Sequence, residues 1–217
     1  MTREGDDELS KLYFRYGTMG SSKSARLIMD AFEYREREEE VIAFKPVTDV
    51  RSGSGLIESR TGMSLECVDI GLEDNLFNTV LNSIQNGHRI ACIFVDESQF
   101  LTFTQVVQLR TIVDVIGIPV MCYGLKSDFR GDLFEGSKAL FEYANRFEEV
   151  KTICRVPDCK KKAMFNVRFK NGKPVFVGRQ VKIGDTATAL EDEEYYVVKC
   201  SRHFFEDYMA FNKENGL

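Results

Sequence analysis

Between Leu9 and Ser24 the chain reads Leu-Ser-Lys-Leu-Tyr-Phe-Arg-Tyr-Gly-Thr-Met-Gly-Ser-Ser-Lys-Ser. An apolar, strand-like run stops at Gly17, and a helical pattern starts at Lys23. This order of events builds a phosphate cradle. A strand delivers the chain, and the small-residue loop Gly17, Thr18, Met19, Gly20, Ser21 and Ser22 turns it back. A helix N-terminus then points its free N–H groups at an anion. In the phosphate-loop pattern G-x-x-x-x-G-K-[ST], Lys23 reaches the β- and γ-phosphates and Ser24 ligates Mg²⁺. Gly17 fits the first glycine of that pattern, whereas Ser22 stands where the second should be. The competing reading is a turn that merely opens a helix. The strand–loop–helix order favours a nucleotide as the ligand.

The rest of the chain supplies a fold for such a loop. Leu9–Tyr16 reads as a strand, Lys23 to about Arg37 as a helix, and Val41–Phe44 as a short strand ended by Pro46. Residues 46–64 read as a long loop. A helix opens at Asp74 and stops at Asn86-Gly87. Ile90–Val95 is a continuous apolar run, as in a parallel strand buried on both faces. Phe103–Val115 reads as helix, Ile118–Tyr123 as a buried strand, Gly136–Tyr143 as helix and Val150–Ile153 as strand. Alternating strands and helices predict an α/β fold with a parallel sheet. Ligands of such sheets bind beyond the carboxyl ends of the strands. Three chemically rich segments fall there: 17–24, Asp96-Glu97 and Gly124–Arg130. After residue 153 the texture changes. Ala163–Phe169, the turn Asn171-Gly172 and Val175–Val181 predict a β-hairpin. An acidic loop over 184–194, a strand Tyr195–Lys199 and a helix near Arg202–Phe211 follow. The expected division is a P-loop α/β nucleotide-binding domain over 9–150 and a small module over 151–217.

The 217 residues, 43% of them hydrophobic, suffice for a real core. A net charge of −5 argues against the nucleic-acid backbone as main partner. No apolar run is long enough to span a bilayer. Residues 1–8 are polar and acidic, with no signal-peptide core, and read as disordered. The default expectation is a cytoplasmic protein that binds neither nucleic acid nor membrane. Disulfides are then not the reason for six cysteines. Cys67, Cys92 and Cys122 lie in or beside apolar segments, as small core residues do.

Cys154-x4-Cys159 and Cys200-x2-His203 form two local pairs of soft or borderline ligands, the pattern of a tetrahedral Zn²⁺ site. The module that holds them is too small to bury much core, so a structural metal would stabilise it. Asp96 and Glu97 end a buried strand. Asp96 suits Mg²⁺, and Glu97, facing the other way if the strand continues, suits proton transfer. Their alternative is a pair of solvated strand-end charges. Phe100, Phe129, Tyr195 and Tyr196 have rings that could stack on a flat base, although ordinary core packing is the commoner use of any one. His88 reads as a surface turn residue, and Glu36–Glu40 as a solvated helix end.

Together these stretches resemble the cellular-type, or type II, thymidine kinases of the bacterial and bacteriophage branch. The carriers are Leu12–Ser24, Val95-Asp-Glu-Ser-Gln-Phe100, Cys122-Tyr-Gly-Leu-Lys-Ser-Asp-Phe-Arg-Gly-Asp-Leu-Phe134, Lys151–Cys154 and Tyr196–His203. The resemblance runs from about Leu9 to Tyr208. It implies a RecA-like α/β ATP domain with a small zinc-bearing, β-rich domain. It implies transfer of the γ-phosphoryl of ATP to the 5′-hydroxyl of thymidine or deoxyuridine, a homotetramer, and feedback inhibition by dTTP. It also implies roles: Lys23 and Ser24 on phosphate and Mg²⁺, Asp96 on Mg²⁺, and Glu97 as general base. Met19, Phe100, Leu125 and Phe129 wall the base pocket. Tyr196 anchors a substrate loop that begins at Ile183 and runs to Tyr195. Two departures stand out: Ser22 for glycine, and a substrate loop longer and more acidic than usual. Its small residues and acidic run predict a lid ordered by thymidine. The competing functions are a P-loop ATPase of another kind and, more remotely, a zinc-module nucleic-acid binder.

Overall fold

A computed structural model describes residues 10–48, 53–180 and 194–216. The expected disorder of residues 1–8, the substrate residue Ile183 and the expected lid up to residue 193 lie outside the described residues. The chain forms two units. The first comprises residues up to Tyr16, Ser22–Gly124 and Glu135–Glu149; the second comprises Gly17–Ser21, Leu125–Phe134 and the chain from Val150 on.

In the first unit, strands alternate with helices as the sequence predicts. The strands are β1 (Leu12–Gly17), β2 (Glu40–Pro46), β3 (Leu56–Glu58), β4 (Ser64–Glu66), β5 (Val68–Ile70), β6 (Ile90–Val95), β7 (Val120–Leu125) and β8 (Arg146–Val150). The helices are α1 (Lys23–Arg35), α2 (Leu76–Gln85), α3 (Phe103–Thr111) and α4 (Glu135–Tyr143). Six strands form one parallel sheet in the order β5-β2-β6-β7-β1-β8. Neighbours in β6 point to opposite faces, and both faces are apolar. Ile93 and Val95 join Leu12, Phe14, Phe44, Val120 and Cys122 in a core with Leu76, Val80, Val106, Leu109 and Leu140. Cys92 and Phe94 join Ala43 and Tyr123 in a second core with Leu27, Ile28 and Ala31 of α1. Helices on both faces are what a parallel sheet requires. β6, β7 and β1 are neighbours, so the chain leaves their carboxyl ends on one edge.

Several boundaries differ from expectation, each for a physical reason. β2 runs on to Pro46, which pairs with Ile70 of β5 at the strand end, where a missing N–H is tolerated. The stretch read as a loop over 46–64 contains β3, which pairs antiparallel with β4. These three-residue strands contribute Ile57 and Leu65 to the second core, too few apolar positions to show a period. Asn75 rather than Asp74 caps α2, its Oδ1 accepting from the Asn78 N–H at 3.0 Å. α3 is shorter than Phe103–Val115, because Ile112–Ile116 widens into a π-turn. The strand expected at Val150–Ile153 lies earlier, as β8. It is an edge strand whose Arg146, Phe147 and Glu148 are exposed, so it carries little buried alternation, and Ile153 is itself exposed.

In the second unit, β9 (Phe165–Lys170), β10 (Lys173–Val175) and β11 (Glu194–Lys199) form an antiparallel sheet in the order β10-β9-β11, followed by α5 (Ser201–Asn215). The predicted hairpin turn is present. Asn171 and Gly172 have φ of 49° and 73°, the two positive values of a type I′ turn. β10 stops at Val175, short of the expected Val181. The core here is small: Val167, Phe176 and Phe204, with Phe165, Phe169 and Phe211 packed against them. Among the described residues no helix is long and apolar enough to cross a membrane.

Candidate active site

In the first unit the chain enters α1 through Ser22, whose φ of 63° and ψ of 30° are left-handed. Ser22 thus holds a left-handed backbone, the conformation that glycine adopts without steric cost. Its side chain makes no capping hydrogen bond, so nothing visible offsets the strain of a Cβ in this region. Ser22→Gly should raise stability by about 0.5–1 kcal/mol, or roughly 1–4 °C in melting temperature. A melting temperature equal to or below the parent's would refute that. Lys23, next in the chain, is buried.

Asp96 and Glu97 follow β6. The Asp96 N–H donates to the Phe44 carbonyl at 3.0 Å. The strand does not continue, contrary to the expectation for Glu97. Its φ of 47° turns the chain into a 3-10 turn over Ser98–Phe100. A non-glycine residue held in this conformation is a form of strain that concentrates at functional sites. Both carboxylates are buried, so the solvated-pair alternative does not hold. Gln99 donates a side-chain hydrogen bond from Nε2 to Glu97. Burial, and next the charge of Glu97, push the Asp96 carboxyl up to about 7; the Ser24 hydroxyl and the Lys23 ammonium oppose the rise. Asp96 Oδ1 is buried without a hydrogen-bond partner, leaving a full lone-pair set for a hard cation. Phe100, at the end of the turn, is half-buried.

In the second unit, a Cβ on Gly17 would lie 2.5 Å from both Ser21 Oγ and the Val150 carbonyl, so only glycine fits. Ser21 Oγ donates to the Thr18 carbonyl at 2.9 Å, and the Met19 N–H donates to Asn166 Oδ1 at 2.8 Å. Gly20 takes a φ of 66°. Leu125 closes β7, half-buried. In the motif that follows, the buried Asp128 accepts from the N–H groups of Arg130 and Asp132 and from the Arg130 guanidinium. Phe129 is buried beneath the Arg168 guanidinium, 4.0 Å from its ring centroid. Tyr196 faces Arg168 across β9 and β11 and hydrogen-bonds to it. Burial raises the Tyr196 hydroxyl above its ordinary value, and Arg168 opposes the rise. Tyr195 stacks on Phe169 at 5.4 Å, which is packing rather than a free platform. Asn166, Arg168 and Gln99 were not anticipated. Each is a polar residue buried by partners distant in sequence or by a turn, and no local pattern marks such a role.

Also in this unit, one ligand atom from each of Cys154, Cys159, Cys200 and His203 lies within 4.8 Å of the others. His203 Nδ1 is 3.4 Å from the sulfurs of Cys154 and Cys200, and the Cys159 and Cys200 sulfurs are 3.9 Å apart. A tetrahedron with metal–sulfur bonds of about 2.3 Å has sulfur–sulfur edges of about 3.8 Å and sulfur–nitrogen edges of about 3.6 Å. The cluster therefore fits Zn²⁺. His203 Nε2 faces Glu206 at 3.9 Å, on the side away from the thiols, the placement of an outer carboxylate that orients a ligating histidine.

The thymidine kinase family model matches residues 10–204. A thymidine kinase from Lactiplantibacillus plantarum is 43% identical over 197 residues, covering 91% of this chain and 96% of the relative. Thymidine kinases from Enterococcus faecalis and Streptococcus pyogenes are 40% and 38% identical over the same length, covering 95% and 98% of those relatives. The chain belongs to the thymidine kinase family.

Proposed function

We propose that the protein transfers the γ-phosphoryl of ATP to the 5′-hydroxyl of thymidine, or of deoxyuridine, giving the nucleoside monophosphate for salvage. The observation that carries this reading is the family match, which spans the phosphate loop, the carboxylate pair and the Cys/His cluster. An ATPase that needs no nucleoside is not favoured.

The residues suit the reaction. Gly17–Ser24 and the N-terminus of α1 hold the polyphosphate, and Lys23 neutralises charge as it shifts in the transition state. Ser24 and Asp96 would hold Mg²⁺, and the open Oδ1 of Asp96 fits that role. Bound there, Mg²⁺ would neutralise phosphate charge and favour the ionised form of Asp96. Glu97 takes the 5′-hydroxyl proton as the oxygen bonds to the γ-phosphorus, while the bond to the β–γ bridging oxygen breaks and ADP departs. Met19, Phe100, Leu125, Phe129 and Tyr196 are assigned to the thymine pocket by the family resemblance. Cys154, Cys159, Cys200 and His203 are assigned to a structural zinc. The ATP-binding domain is taken as 9–150 and the zinc and nucleoside module as 151–217. A homotetramer, feedback by dTTP and a cytoplasmic location complete the reading. The test is ADP release with ATP alone and with added thymidine. Release that depends on thymidine supports it; equal release without thymidine refutes it.

A further inference from the structure

We infer that Gln99 is a positioning residue for phosphoryl transfer: its side-chain amide fixes the Glu97 carboxylate in the orientation that takes the hydroxyl proton. The inference rests on the reading of Glu97 as general base.

Gln99 is 2% exposed, and its Nε2 donates to Glu97 Oε2. A glutamate side chain has three rotatable bonds, and a base gains rate only while it is held in a reactive geometry. A buried amide donor restrains that freedom and satisfies one oxygen of the carboxylate. The turn carrying both residues is closed by the Phe100 N–H on the Glu97 carbonyl at 3.0 Å and the Leu101 N–H on the Ser98 carbonyl at 3.2 Å.

Two glycines make the slot into which this turn fits. A Cβ on Gly124, in β7, would lie 2.6 Å from Ser98 Oγ, 2.8 Å from Gln99 Oε1 and 3.0 Å from the Gln99 backbone nitrogen. A Cβ on Gly136, in α4, would lie 2.5 Å from the Ser98 carbonyl oxygen, 2.8 Å from that of Leu101 and 3.0 Å from that of Gln99. Neither glycine has a positive φ. Both are therefore needed for space, not for backbone freedom. The space they leave is filled by the turn and by the Gln99 amide. Glu97 is thus built on a rigid support from β7 and α4, and Gln99 passes that rigidity to its carboxylate.

The test compares Gln99→Met, which keeps length and loses the donor, with Glu97→Gln and with the double variant. Gln99→Leu serves as a second apolar replacement, and melting curves report folding. The expected result is a kcat lowered about 10–100-fold in Gln99→Met, with KM for thymidine and for ATP within about twofold. The double variant should turn over at the same rate as Glu97→Gln alone, because Gln99 acts only through Glu97. A raised thymidine KM with kcat intact overturns the proposal, since Gln99 would then be a substrate contact. A further loss in the double variant overturns it too, as does unfolding of both apolar variants. Near-parental turnover in Gln99→Met beside an inactive Glu97→Gln sinks this proposal alone. Near-parental turnover in Glu97→Gln sinks the general-base reading and this proposal with it.

Discussion

Replacing Glu97 by Gln is expected to lower kcat by about 10²–10⁴-fold, with a much smaller change in KM for thymidine. The substitution keeps the size and shape of the side chain and removes its capacity to take a proton. It leaves Lys23, Ser24 and Asp96 in place, so ATP should still bind. An interaction needed only in the transition state lowers kcat and kcat/KM together, and that is the signature expected here. The backbone at Glu97 argues for the role independently of the motif. A buried glutamate with a φ of 47° costs strain and desolvation together, and a residue retained only for the fold would not need both. The measurement is a steady-state series in thymidine at saturating ATP, with nucleotide binding followed separately. Turnover near that of the parent would remove Glu97 as the base. Loss of ATP binding would instead assign its main effect to the neighbouring phosphate site.

The parts of this site that could be read from the sequence are those whose chemistry is local. A strand that ends in small residues and continues as a helix is visible in sixteen consecutive residues, Leu9–Ser24. Ile90–Val95 is visible because a strand buried on both faces must be apolar at every position. The Cys/His cluster is visible because metal-ligating residue types at such spacing stand out as local pairs. What stayed hidden depends on partners brought together by topology. Arg168 is one charged residue in a hairpin strand until Phe129 and Tyr196 cover it. The glycine pair Gly124 and Gly136 looks unremarkable in sequence, since only the folded turn between them shows what a Cβ would strike. Ser22 is an intermediate case. The sequence shows that it stands at a glycine position of the motif, and only the backbone shows that the position is left-handed, where glycine is free of strain. The hairpin of β3 and β4 was missed because three-residue strands among Gly53, Gly55 and Gly62 carry too short a pattern to register.

Removing the metal should cost the second unit its fold. Purified protein is expected to carry one Zn²⁺ per chain, and Cys154→Ser or prolonged chelation should lower the melting temperature by on the order of 10 °C or more. Structural zinc contributes on the order of 10 kcal/mol in small modules, whereas a whole domain is stable by only about 5–15 kcal/mol. The cluster of Val167, Phe176 and Phe204 is small, and α5 fully buries only Phe204 in it, with the rings of Tyr208 and Phe211 set edge-on against Phe176. Cys200 stands at the N-cap of that helix, and His203 lies in its first turn. Cys154 is tied through its own N–H to the Lys161 carbonyl at 2.9 Å, and its neighbour Arg155 donates from its N–H to the Val198 carbonyl at 2.9 Å. One ion would therefore fasten the 154–161 loop to the end of β11 and the start of α5. Without it, three thiols and an imidazole are left crowded within 4.8 Å, with nothing to hold them there. Four protein ligands also close the coordination shell, which fits support of the fold rather than chemistry on substrate. Metal analysis and thermal melting before and after chelation provide the check, with readdition of Zn²⁺ restoring the original curve. Zinc well below one per chain, together with a melting temperature unmoved by stripping, would show that the cluster folds unaided.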